Sequence, residues 1–130
     1  MKFYVTGRSS DYPRVEQAVK EIKEQGHEIS FEWTALPMAK PYAENQERAA
    51  GYAVDSIQGV VDADVYIIFT HKDGNGVFTE FGAALGSYAI KGSPRIFAIG
   101  GDKDAAMFHY HPAIAWRGSI EEVLNELDTK

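Results

Sequence analysis

At 130 residues, 45% of them hydrophobic and 25% charged, the chain can bury a core of its own and reads as one domain spanning residues 1–130. A net charge of −6 argues against a nucleic-acid polymer as partner, because neutralising phosphates needs a basic face. The absence of cysteine excludes a disulfide framework and thiolate metal sites and fits a cytoplasmic location, and without a run of 18 apolar residues no membrane partner is expected.

Met1-Lys2-Phe3 leads straight into a strand, so no secretory signal is expected. Phe3-Tyr4-Val5-Thr6 predicts that first strand, ended by Gly7. Arg8-Ser9-Ser10 follows, and Asp11 with Pro13 predicts a helix start capped by the Asp11 side chain. Val15, Ala18, Val19 and Ile22 then recur at helical spacing until Gly26. Ile29 to Trp33 reads as a second strand, and 35–42, with Pro37 and Pro41, as loop. In the second helix Ala50, Ala53, Val54, Ile57, Val60 and Val61 share one apolar face, the face expected to meet the core. Val65 to Phe69 predicts the third strand, followed by a helix carrying Phe81, Leu85, Tyr88 and Ala89. Residues 94–99 read as a fourth strand and Ile114-Ala115-Trp116 as a short fifth. Ser119 caps a last helix, with Glu121 and Glu122 in the first turn as the macrodipole prefers.

One strand per helix implies a parallel sheet with helices on both faces. The predicted fold is an α/β three-layer sandwich, flavodoxin-like or Rossmann-like, with five parallel strands in the order 2-1-3-4-5. In that order the loops after strands one and three flank the topological switch point. Gly7–Ser10 and His71–Glu80 are therefore expected to face each other across one crevice.

The strongest functional signal runs from Asp64 to Gly86. Val65-Tyr66-Ile67-Ile68-Phe69 reads as a strand buried on both faces, and the glycines of His71-Lys72-Asp73-Gly74-Asn75-Gly76 permit close approach by a ligand. Glu80 then falls in what reads as the first turn of a helix. The dipole alone favours an acid there, while functional sites also concentrate at such junctions. Gly7, Arg8, Ser9 and Ser10 offer amides, hydroxyls and a guanidinium for a phosphate, with an ordinary capped turn as the other reading and Asp11 placed to repel an anion. His109 and His111 lack the further ligands a metal site needs. Gly74-x-Gly76 with Thr79 and Asp102 lacks the third glycine of a dinucleotide fingerprint. Tyr110 and Trp116 read as packing residues, with stacking on a nucleobase as the other use.

Tyr4, Gly7, Ala63-Asp64-Val65 and the segment Gly76-Val77-Phe78-Thr79-Glu80-Phe81-Gly82 resemble the nucleoside 2-deoxyribosyltransferase family, including its deoxynucleoside 5′-monophosphate N-glycosidase relatives. The tail Phe108-His109-Tyr110-His111-Pro112 and Trp116 is similar to that of distant members, so the resemblance covers nearly the whole chain. It implies cleavage or exchange at the N-glycosidic bond of a 2′-deoxynucleoside or its 5′-monophosphate. Glu80 would be the nucleophile, Tyr4 would orient it, and Gly7, Arg8, Ser9 and Ser10 would hold the 5′ end. Gly76 would permit close approach of the sugar, and Gly74 and Asn75 would also bind substrate. It implies no cofactor, no metal, a small nucleoside or nucleotide partner, and a homodimer or higher homo-oligomer. The family's helix-two Asp falls here on Ser56, with Asp55 one residue off and pointing nearly opposite the apolar face. Slow turnover is expected if Ser56 stands where that acid would work. Two other readings are an NAD hydrolase of the Toll/interleukin-receptor type and a nucleotide-sensing domain that has lost the acid.

Overall fold

The structure, a computed structural model, describes residues 1–128. Five parallel strands form one sheet in the order β2-β1-β3-β4-β5: β1 (Lys2–Thr6), β2 (Glu28–Ile29), β3 (Val65–Phe69), β4 (Arg95–Ile99) and β5 (Ile114–Arg117). Tyr4 lies beside Tyr66, and Tyr66 beside Ile96, so the three central strands are in register through the core. Helices cover both faces. Helices α1 (Tyr12–Glu24) and α4 (Ile120–Asp128) pack on Phe3, Val5, Val65, Ile67, Phe69, Phe97 and Ile99. Helices α2 (Gln46–Asp62) and α3 (Asn75–Lys91) pack on Tyr4, Tyr66, Ile68, Ile96 and Ala98. This is the flavodoxin-like three-layer arrangement, and every residue of β3 is buried, as its unbroken apolar run requires. Asp64, just before β3, accepts the Lys2 amide at 2.8 Å and ties the amino ends of β1 and β3 together.

Several local expectations are corrected. The second strand is only two residues long, because Trp33 turns into a 3-10 segment (Trp33–Ala35) and donates its indole N–H to the Val5 carbonyl at 2.8 Å. Asp11 occupies the N-cap position of α1 without a capping hydrogen bond, since its carboxylate bonds His71 instead. Ser119 does cap α4, accepting the Glu122 amide at 3.2 Å, while the Glu122 carboxylate accepts the Gly118 amide at 2.7 Å.

The largest correction concerns α2. Of its expected core face Val60 is buried and Val61 half-buried, but Ala50, Ala53, Val54 (68%) and Ile57 (38%) are exposed. Beside Val60 the helix buries Gly59 and half-buries Tyr52 and Ser56, so its inner face is turned from the expected one. Gly59 explains this, because only a residue without a side chain lets the helix come this close to β1. A Cβ there would lie 2.7 Å from that of Phe31 and 3.2 Å from the Tyr4 ring. On α3, Phe81 and Leu85 are buried as expected, whereas Tyr88 and Ala89 are exposed.

Candidate functional site

β1 alternates its side chains, sending Phe3 and Val5 to the α1 face and Tyr4 and Thr6 to the α3 face. Tyr4 and Thr6 thereby present two hydroxyls toward α3 near the carboxyl end of the sheet. Gly74, at φ 138°, delivers the chain into α3, whose first turn closes with the Phe78 amide on the Gly74 carbonyl at 2.9 Å. The helix thus starts at Asn75, earlier than expected, and Glu80 stands in its second turn. The dipole's influence fades beyond the first turn, so it gives little reason for an acid at this position.

Glu80 is half-buried and its two oxygens are held separately. The Tyr4 hydroxyl donates to Oε2, and the Thr6 hydroxyl donates to Oε1 at 2.7 Å. Burial raises the Glu80 pKa above the usual carboxylate value, and the two donated bonds pull it partly back. Burial, then the Glu80 charge, raises the Tyr4 phenol well above its ordinary range, so it stays a donor at neutral pH. The Ser56 hydroxyl, half-buried on α2, acts the other way and pulls the Tyr4 pKa slightly back. Beneath them, Tyr4 stacks on Tyr66 at 5.9 Å and Tyr66 on Phe81 at 6.4 Å, so the Tyr4 ring has little freedom to turn. The result is a carboxylate fixed in orientation, more basic than a free one, with lone pairs left over. That suits attack on an electrophilic carbon.

The loops after β1 and β3 meet beside it. Arg8 pairs with Asp73 at 2.6 Å, Asp11 pairs with His71, and the position of a Gly74 Cβ lies 3.3 Å from the Arg8 side chain. Gly7 is buried beneath Asp11 and Phe69. Ser9 and Ser10 are exposed in a 3-10 turn (Ser9–Asp11), and Asn75 and Gly76 are exposed at the start of α3. Tyr4, Ser56 and Glu80 therefore come together, with the Arg8 and Gly74 loops alongside. Asp55 is exposed on α2, away from this group.

Thr6 was not singled out from the sequence, although its place two residues after Tyr4 puts both side chains on one face of the strand. The two ion pairs leave no signal in the sequence, since only the topology brings Arg8 to Asp73 and Asp11 to His71. His109 is buried against Phe78, Phe81 and Trp116, and Tyr110 is 64% exposed and not a packing residue. Among the described residues no group of three or more acidic, histidine or cysteine side chains could hold a metal ion. Among the described residues no helix is long and apolar enough to cross a membrane. No protein-family model matches the chain, and no curated protein or solved structure matches it significantly.

Proposed function

We propose that this chain cleaves the N-glycosidic bond of a 2′-deoxynucleoside or its 5′-monophosphate through Glu80. The observation that carries the reading is the Glu80 carboxylate held on one oxygen by Tyr4 and on the other by Thr6, beside the switch point of the sheet. In this scheme a Glu80 oxygen attacks C1′. The C1′–N bond breaks, its electron pair leaves with the base, and the base takes a proton from solvent. Water or a second base then attacks C1′, the C1′–O bond to Glu80 breaks with its electron pair returning to the carboxylate, and the nucleophile gives its proton to solvent, leaving free deoxyribose or a new deoxynucleoside. The 2′-deoxy sugar suits this chemistry because no 2′-hydroxyl withdraws electrons from the developing cation. Ser56 provides a hydroxyl but no strong acid, which favours slow turnover.

The resemblance further suggests a homo-oligomer. The exposed apolar side chains of Val54 and Ile57 on α2, and of Ile90 on the neighbouring α3, support a contact between copies. A chain without cysteine suits a cytoplasmic setting.

Glu80→Gln tests the reading, with free base measured by chromatography after incubation with deoxynucleosides and their monophosphates. The variant should fold, bind ligand and lose cleavage by several orders of magnitude, and a 2-fluoro sugar analogue should label wild-type protein at Glu80. If the acid served stability alone, the substitution would weaken the bonds from Tyr4 and Thr6, lower the melting point by the equivalent of about 1–3 kcal/mol, and leave cleavage intact. Ser56→Asp should raise turnover, since general-acid help is worth about 10²–10⁴-fold. Cleavage of NAD with none of deoxynucleosides would transfer the role of Glu80 to the NAD-hydrolase reading, and tight nucleotide binding without turnover to sensing.

A further inference from the structure

We infer that His109 is a pH-sensitive latch on the segment between β4 and β5. With its ring neutral it fastens that segment onto α3, and protonation drives the ring out of its aromatic surroundings and opens the segment. This goes beyond the proposed cleavage and does not depend on it. The segment carries a 3-10 turn (Met107–Tyr110) whose other side chains face outward: Met107, Phe108 and Tyr110 are exposed, and His109 alone is buried, at 2% exposure. Its ring packs on Phe78 at 5.3 Å and Phe81 at 5.1 Å, both from α3, and on Trp116 of β5 at 6.5 Å. The anchor of the turn is thus a titratable ring, and neither of its nitrogens has a hydrogen-bond partner.

A neutral imidazole tolerates such a place better than an imidazolium, which carries two N–H donors and meets no acceptor here. The faces of the three aromatic rings attract a cation, but that attraction is smaller than the cost of burying a charge without hydrogen bonds. The elements packed against the ring bring no anion to it. From α3 come two phenylalanines, and from β5 a tryptophan whose own ring carries the Lys103 ammonium at 5.3 Å. Within the segment the Ala106 backbone and the Asp102 charge favour the protonated ring, and burial outweighs both. His111 adds a second pH-sensitive hold. Its ring meets Tyr88 of α3 edge-on at 6.4 Å, and its Nδ1 accepts the Ala113 amide at 3.0 Å, a bond that a protonated ring cannot accept. A fall in pH therefore loosens the segment at two points. Opening uncovers Phe78 and Phe81, which bracket Glu80 along α3.

Hydrogen exchange of the wild-type protein between pH 7.5 and pH 5, corrected for the intrinsic pH dependence of exchange, tests the latch. The reporting amides are those of His109 and His111, bonded to the Ala106 carbonyl at 3.0 Å and the Phe108 carbonyl at 3.2 Å. Their protection should fall by about threefold or more as pH drops. The ceiling is about thirtyfold for one histidine that takes up its proton, near its ordinary value of about 6.5, only when the segment is open. At pH 5 it should also lie at least about tenfold below the protection of the Ile67 and Ile68 amides in the central strand β3, because local opening costs less than unfolding the core. His109→Phe, a ring with no nitrogen to protonate, should at least halve the fall. A smaller fall in the wild type would overturn the inference. So would segment amides as well protected as those of β3 at pH 5, or a variant whose fall matches the wild type. If His109→Phe does not fold, the wild-type series decides alone. None of these readings uses cleavage, so the role of Glu80 stands or falls separately.

Discussion

At the scale of single residues, the behaviour of Glu80 is set by the two hydroxyls that grip it. Both bonds stabilise the ionised form, so each lowers a pKa that burial has raised. The cleavage rate should therefore show an acid limb above the ordinary carboxylate value, activity rising with pH as Glu80 ionises. Tyr4→Phe removes one donor and should move that limb to higher pH. Its plateau should also fall, by roughly 10–10²-fold, because a nucleophile released from its orientation loses alignment with C1′. Thr6→Val should move the limb in the same direction. A pH–rate profile of each variant checks both outcomes, and an unchanged limb in Tyr4→Phe would show that the rate does not depend on Glu80 ionisation. His109 offers a second titration. Its ring is buried among aromatics, neither nitrogen has a hydrogen-bond partner, and the Ala106 backbone and the Asp102 charge only partly oppose the effect of burial. Burial lowers its pKa, so below about pH 6.5 the unfolded chain binds a proton that the folded chain refuses. Stability should be fully present above that value and fall as pH drops through it toward the lowered folded value. His109→Phe should remove this loss, so the gap in melting temperature between variant and wild type should widen from pH 7 to pH 5.

Among the elements, α2 determines how the site is roofed. Its close approach depends on Gly59, where an added methyl meets Phe31 and the Tyr4 ring, whereas a methyl at Gly51 on the same helix meets nothing within 4 Å. Gly51→Ala should gain roughly 0.5–1 kcal/mol from helix propensity. Gly59→Ala has the same propensity gain but adds overpacking worth about 1–3 kcal/mol, and should come out destabilised with slower base release. Urea titration of the pair separates the two effects. The outward side of α2 makes a different prediction. Val54→Glu with Ile57→Glu should leave the fold intact and break any homo-oligomer, as sedimentation or light scattering would show. A wild-type chain that sediments as a monomer would remove the basis for proposing such an interface.

For the whole molecule, the alternation of strands and helices was enough to determine the sheet. Val65–Phe69 must lie centrally because all five residues are apolar, and the one-helix-per-strand rhythm makes the neighbours parallel. The order 2-1-3-4-5 then brings the loops after β1 and β3 together, which is why Tyr4 and Glu80, 76 positions apart, could be expected in one place. Local patterning carried that much because periodicity reports which sides of an element avoid water. It does not report which neighbour they avoid it against. The apolar face of α2 meets the core only at its Val60 end, and the tertiary structure turns Val54 and Ile57 outward, since close packing over β1 required Gly59 and not a larger hydrophobe. Trp33 left the expected second strand for a hydrogen bond to Val5 across the fold. Asp11 left its cap for His71, and Thr6 gained its role only when α3 set Glu80 above it. Each of these is a contact between residues distant in sequence, and its energy exists only once the chain has closed on itself.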